Sequence, residues 1–279
     1  MKVLVTGANG YIGHHVIQSL LKYNVSITAL VRNKANTINF DSRISIFELD
    51  IFNFEDNVFE QLGTPDVVIH LAWGYLSNFK SARHLENELP AHYKFLKHLI
   101  DSGLNSLLVV GTCLEYGMQF GPMTENLKAA PIIPYAHAKN ELRLKLESLQ
   151  SSQKYNLTWA RLFYIYGDDS GNETLYSQLK RAVLKGESHF NMSGGNQLRD
   201  YLPVYEVSRQ LASLAVNECP IRLLNICSGT PISVRELVEY FLRENSWDIN
   251  LNLGYYSYND YEPMAFWGVR HSQIDSLVI

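Results

Sequence analysis

The chain has 279 residues, 46% hydrophobic and 19% charged, with a net charge of −4. That length can bury a substantial core in one large domain or a domain with a small companion. The weak negative charge gives no global basic field, which argues against nucleic acid or anionic membrane as a partner. No apolar run reaches membrane-spanning length. The three cysteines, Cys113, Cys219 and Cys227, show no C-x-x-C spacing and leave one thiol over from any pairing. That pattern suits a reducing compartment and argues against a metal knuckle. The opening MKVLVTGANG lacks the apolar segment of a signal peptide, so a cytoplasmic location is expected.

In chain order, short runs rich in Val, Ile and Leu alternate with longer amphipathic segments. Strands are predicted over 2–6, 26–31, 44–49, 66–71, 106–111 and 157–163, with helices around 11–23, 54–62, 84–103 and 135–151. The strands are apolar on both parities, as in a parallel sheet covered on both faces. The alternation predicts a Rossmann-type, doubly wound α/β fold. After Gly167 the rhythm breaks into a loop, a helix over 174–185 and the polar, glycine-rich MSGGNQLRDYL. A helix near 205–217 and a strand over 223–227 return to the sheet, and the aromatic GYYSYNDYEPMAFWG reads as irregular. The expected division is a sheet domain of 1–165 with 204–228, and a smaller C-terminal substrate-binding region of 166–203 with 229–279.

VTGANGYIGHHV sets Gly7, Gly10 and Gly13 between the first strand and the first helix. Glycines there permit a tight turn and let the backbone approach a pyrophosphate, which the helix N-terminus then attracts. A dinucleotide is the expected ligand. Where the second strand ends, a carboxylate would favour NAD and an arginine NADP. LVRNK offers Arg32 and Lys34 without a carboxylate, so NADP(H) is preferred and NAD(H) remains possible; solvated surface charges are the other reading. Asp50, with Ile51 beside it, falls where the adenine edge is expected, although strand-end aspartates often only cap a turn.

PYAHAKNELRLKLESL reads as an amphipathic helix, with Pro134 in the first turn and Leu142, Leu146 and Leu149 at helical spacing. Tyr135 and Lys139 share one face, about 6 Å apart along the axis. The pair fits either chemistry or two ordinary amphipathic side chains. Neighbouring segments add a pattern: TGANGYIG, HLA at 70–72, VVGTCLEYG at 109–117, YAHAK at 135–139 and RLFYIYG at 161–167 occur in that order. Over roughly residues 1–230 this resembles the extended short-chain dehydrogenase/reductases, and within them the nucleotide-sugar epimerase/dehydratase/reductase group.

The resemblance implies that Tyr135 is the acid/base, that Lys139 assists it and holds the nicotinamide ribose, and that Thr112 is the catalytic Ser/Thr. A threonine satisfied by nearby backbone is the plainer alternative. It also implies cofactor contacts at Tyr11, Ile12, Leu71, Ala72 and Phe163. Arg199 in GGNQLRDYLPV is expected on the nucleotide diphosphate, with a salt bridge to Asp200 as the competing reading. Asn87 is placed at the substrate or helix-packing edge. The helices around 84–103 and 135–151 correspond to the pair through which many members form a homodimer.

Two departures narrow the chemistry. Cys113 and Leu114 follow Thr112 where sugar dehydratases carry an acidic pair, which argues against elimination. Tyr164 replaces an asparagine common in epimerases, so the usual diphosphate contact is in doubt there. GTCLEYG and YEPMAFWG look most like the 4-keto-6-deoxyhexose reductases. The expectation is NADPH-dependent reduction at C4 of a nucleotide-diphospho-4-keto-6-deoxyhexose such as dTDP-4-keto-6-deoxyglucose. A nucleotide-sugar 4-epimerase and a non-catalytic dinucleotide sensor are the alternatives. The nine histidines are assigned to surface or packing rather than metal, and the aromatic residues 255–267 mostly to packing.

Overall fold

The structure is a computed structural model that describes residues 1–34, 40–167, 174–217 and 221–274; Cys219 lies outside them. Strands β1 (Lys2–Thr6), β2 (Ser26–Val31), β3 (Ile44–Glu48), β4 (Val67–His70), β5 (Ser106–Thr112), β7 (Asn156–Leu162) and β11 (Leu223–Ile226) form one sheet. Its order is β11-β7-β5-β4-β1-β2-β3, and every neighbouring pair is parallel. The chain leaves β1 for β2 on one side, while β4 lies on the other. This reversal opens a crevice at the carboxyl ends of β1 and β4, where doubly wound sheets bind ligands.

Helices α1 (Tyr11–Leu20) and α6 (Val204–Val216) cover one face, burying Val16, Ile17, Leu20, Leu211 and Leu214 against Val3, Val5 and Ile69. Helices α3 (Leu89–Asp101) and α4 (Pro134–Leu149) cover the other, with Phe95, Leu99, Leu142 and Leu146 against Leu4, Val68 and Leu107. Each fully buried side chain of this kind contributes about 1.5–3 kcal/mol, which explains why the strands are apolar on both parities.

Two expected helices differ from the structure, and one observed helix was not expected. The one near 54–62 is reduced to α2 (Val58–Gln61), closed by Gly63 and Thr64 with φ of 81° and 52°. The one around 84–103 starts as a π-helical turn, His84–Glu88, before α3 begins. The unexpected one, α7 (Val234–Asn245), lies where no element is predicted from the sequence. Its signal was present: Ser233 and Glu236 form a reciprocal capping box, and Val234, Leu237, Val238 and Phe241 make a buried stripe.

The remaining described strands are β6 (Gly121–Met123), β8 (Tyr164–Tyr166), β9 (His189–Asn191), β10 (Leu198–Pro203), β12 (Pro231–Ser233), β13 (Asn250–Asn252) and β14 (Phe266–Gly268). They pair as β12-β10-β8, β13-β9 and β14-β6. Helices α5 (Leu175–Leu184) and α7 enclose a separate small core of Leu179, Phe190, Met192, Leu237, Val238 and Phe241.

Candidate active site

The glycine turn forms the floor of the crevice. Gly7 has φ of 69°, and a Cβ there would stand 2.7 Å from the Ala72 amide nitrogen. At Gly13 a Cβ would come within 2.2 Å of the Gly7 carbonyl oxygen, and at Gly10 within 3.1 Å of the same atom. The first glycine therefore admits the end of β4, and the third lets α1 pack against the turn. Gly10 caps α1 without a side chain, and the first turn has no acidic residue, so its amides and dipole are left to an anion. These features fit a dinucleotide pyrophosphate. Tyr11 and Ile12 open α1, while Leu71 and Ala72 form the facing wall, so the structure gathers these four expected residues around the turn.

Other cofactor expectations fare differently. Asp50 accepts the Phe52 amide at 3.1 Å, the turn-capping role, and is exposed. Ile51 is buried in the hydrophobic cluster that also holds Phe59 and Phe95. Phe163 is likewise buried, in a cluster with Cys113, Tyr116, Cys227 and Phe266, because β7 carries it past the sheet edge into apolar surroundings. Arg32 is exposed at the end of β2. A carboxylate does stand nearby: Glu48, at the end of β3, accepts the Lys34 amide at 2.9 Å.

Thr112 ends β5 and caps the short helical turn Cys113–Tyr116, its hydroxyl accepting the Leu114 amide at 3.3 Å. T-C-L-E is a capping box, and Glu115 returns a carboxylate to the Thr112 amide at 2.9 Å. The same buried carboxylate accepts from Trp159 Nε1 at 3.0 Å and from Arg161 Nε at 2.7 Å. Thr112 is thus pinned by an ion pair joining β5 to β7. Sequence reading missed Glu115, although the S/T-x-x-E spacing was visible.

Pro134 opens α4, and the Tyr135 amide donates to the Phe79 carbonyl at 3.1 Å. The phenol ring stacks on Phe79, with centroids 4.9 Å apart, and meets Trp73 edge-on and His84 at a tilt. Burial raises the Tyr135 phenol well above its ordinary range, Glu115 and Cys113 reinforce that, and a hydrogen bond with the Thr112 side chain opposes it. Lys139, one turn on, is only 2% exposed and donates to the Val110 carbonyl at 2.9 Å. Burial lowers its ammonium to about 7, against the pull of Glu115 and Glu88.

The second half of the site lies under β10. Arg199 is 4% exposed, and its Nε donates to the Tyr164 hydroxyl at 3.2 Å. Its guanidinium pairs with Glu262 at 3.1 Å and packs over the Phe266 ring. The competing salt bridge with Asp200 does not form, because both Asp200 oxygens accept backbone amides of Ser228 and Gly229. Tyr164, Arg199 and Glu262 line a cavity of about 310 Å³, with Gln197, Tyr256 and Tyr258 among its other walls. Tyr255, Tyr256 and Tyr258 are exposed rather than packed as the sequence suggested. Cys113, next to Thr112, feels the charges of Glu262 and Arg199, which places the two halves side by side. Asn87 is exposed; the buried polar residues of that turn are His84 and Glu88, and Glu88 accepts the Gly74 amide at 3.0 Å.

A parallel sheet with a glycine cradle at its switch point, and a Thr, a Tyr and a Lys beside it, defines a Rossmann-type enzyme. The sequence profile of the NAD dependent epimerase/dehydratase family matches residues 3–225, and the chain belongs to that family of nucleotide-sugar enzymes. It is 30% identical over 272 residues to a dTDP-6-deoxy-L-talose 4-dehydrogenase (NAD(+)) of Aggregatibacter actinomycetemcomitans, covering 97% of this chain and 100% of that one. A CDP-abequose synthase of Yersinia pseudotuberculosis is 24% identical over 272 residues, 95% of this chain and 91% of the relative. The fold superposes with a TM-score of 0.83 on the UDP-glucuronic acid 4-epimerase of Bacillus cereus in complex with UDP-glucuronic acid and NAD. That match covers 100% of this chain and 93% of the epimerase at 20% identity. Among the described residues, no helix is long and apolar enough to cross a membrane.

Proposed function

We propose that this chain reduces the C4 keto group of a nucleotide-diphospho-4-keto-6-deoxyhexose, in the reversible sense that joins a 4-ketosugar to its alcohol. Its relatives include a 6-deoxyhexose 4-dehydrogenase matched along its full length. The observation that carries the reading is the chemistry around Thr112. A protonated phenol and an ammonium are gathered there, followed by Cys113 and Leu114, which cannot serve as an acid–base pair for elimination.

The nicotinamide, when bound, supplies the hydride. Tyr135, buried and held protonated, then donates its proton to the oxygen that becomes the C4 hydroxyl. Thr112, fixed by Glu115 and hydrogen-bonded to the phenol, orients that oxygen. Lys139 supplies positive charge beside the phenol and a donor for the cofactor ribose. Arg199 offers forked donors to the diphosphate, with Tyr164 and Glu262 fixing its plane. Exposed Arg32 at the end of β2 favours NADP(H) over NAD(H).

The test is to mix the purified protein with dTDP-4-keto-6-deoxyglucose and NADPH or NADH and follow nicotinamide absorbance. Faster loss with NADPH is expected, and Arg32→Ala should narrow the difference. No consumption with any 4-keto sugar nucleotide would sink the reductase reading. Its rival is a 4-epimerase, favoured by the whole-chain likeness to an NAD-bound 4-epimerase. That activity would show as stoichiometric, oxidised cofactor in the purified protein and no net redox change.

A further inference from the structure

Trp73 follows the HLA segment and touches both members of the Tyr135–Lys139 pair. Its indole lies 4.1 Å from the Lys139 ammonium, measured to the ring centroid, and its edge meets the Tyr135 ring at 6.2 Å and 71°. It stacks on His92, with centroids 4.5 Å apart and planes 23° apart, and donates from Nε1 to His84 Nδ1 at 3.1 Å.

The turn that carries Trp73 is closed by a buried ring of hydrogen bonds. The Ala72 amide donates to Thr6 Oγ1 at 3.3 Å, and Thr6 meets His70 Nδ1 at 2.9 Å. His70 Nε2 meets His92 Nδ1 at 2.7 Å, and His92 Nε2 meets Glu88 at 3.3 Å. Glu88 then accepts the Gly74 amide at 3.0 Å. A carboxylate can only accept, so His92 donates from Nε2 and its Nδ1 accepts. His70 must therefore donate from Nε2 and accept the Thr6 hydroxyl at Nδ1. Every link has one direction, and the ring begins and ends on the two amides that flank Trp73. Four side chains, each no more than 2% exposed, are spent on this one turn.

We propose that Trp73 is a positioning residue for Lys139, holding its ammonium against the indole face, and that the Thr6–His70–His92–Glu88 ring aims it. This rests on the reading of Lys139 as part of the catalytic set. Lys139 is buried and has a backbone carbonyl as its hydrogen-bond acceptor, so the ring face is a second source of negative potential for the ammonium. The charges that bear on this corner are Glu115 from the turn after β5, Glu88 from the π-helical turn and Arg83 just before it. His70 and His92 are both held below the ordinary histidine range, by burial first, and stay neutral as the ring's directions require.

Two experiments test this. In the nucleotide-free protein, the emission difference between wild type and Trp73→Phe should titrate with a midpoint near 7, the value to which burial brings Lys139. That step should vanish in Lys139→Met. A step that persists in Lys139→Met, or no step at all, overturns the contact. In turnover, losing the indole destabilises the ammonium, so the alkaline limb of kcat/KM in Trp73→Leu should move down by about one pH unit. The dissociation constant for NADPH should rise about three- to thirtyfold. Trp73→Phe keeps an aromatic face and should recover part of both effects, while circular dichroism confirms that both variants fold. Limbs and affinities equal to wild type in both variants refute the positioning role. If wild type turns over no 4-keto sugar, the reductase reading fails, and the emission titration still decides the Trp73–Lys139 contact.

Discussion

The carboxyl end of the parallel sheet and the small region under β10 hold their charged groups in opposite ways. At the sheet end, the groups that fix Thr112 are near in sequence or in an adjacent strand. Glu115 caps its own turn three residues from Thr112, and Lys139 lies one turn from Tyr135. In the small region, Arg199 depends on Tyr164 and on Glu262, partners 35 and 63 residues away. A site assembled from local turns is rigid before any ligand arrives; one assembled across long loops keeps its charges engaged with each other until the substrate competes. The first arrangement suits chemistry, and the second suits capture of a diphosphate.

The largest separation should come from Tyr135→Phe. Removing a general acid costs about 10²–10⁴ in rate, while the Arg199 side is untouched. We expect kcat to fall by that order with the KM for the sugar nucleotide nearly constant, as steady-state kinetics will show. Next is Glu115→Ala, which strips a fully buried arginine of its partner. Breaking such a pair costs about 3–5 kcal/mol, so the urea midpoint should drop sharply. Replacing Arg199 with Met should act on binding instead, because charge-assisted hydrogen bonds contribute about 1.5–3 kcal/mol each. KM should rise about ten- to a hundredfold, with a smaller change in kcat than Tyr135→Phe gives.

This contrast also explains what was legible in the sequence. The glycine turn, the strand ends and Tyr135–Lys139 are local patterns with fixed periods, so their spacing carried the geometry. Strand-end capping at Asp50 and the inward turn of Ile51 and Phe163 depend on which neighbour fills the space, and spacing does not encode that. The same holds for Glu262, which sits among aromatic residues in an irregular stretch with nothing local to point toward Arg199. Helix α7 and Glu115 belong to a middle class: capping boxes at Ser233–Glu236 and Thr112–Glu115 mark both, and only the S/T-x-x-E spacing had to be read.

Acid should test the sheet end alone. His70 and His92 have folded values below the unfolded one of about 6.5. Their contribution to stability is therefore full above that pH and is lost as pH falls below it, when the unfolded chain takes up protons that the ring resists. Denaturation midpoints of wild type should decline below about pH 6.5. His92→Gln should start less stable at neutral pH yet decline less over the same interval, having one such histidine fewer. An equal decline in both proteins would assign the acid sensitivity to other groups.

The smallest effect is expected where the two regions touch at the surface. Lys80, from the loop that sets Phe79 against Tyr135, pairs with Asp260 at 2.7 Å and lies 5.4 Å from the Tyr261 ring. The contact spans the cleft and looks like a latch. Both side chains are more than half exposed, however, at 54% and 76%. Water and salt screen such a pair, and ordering two long side chains offsets what attraction is left. Lys80→Ala should leave the melting temperature unchanged and alter kcat and KM by less than about twofold. A larger loss of kcat, insensitive to added salt, would show that this contact orders the Phe79 loop, and that the sheet end is less independent of the small region than its local construction implies.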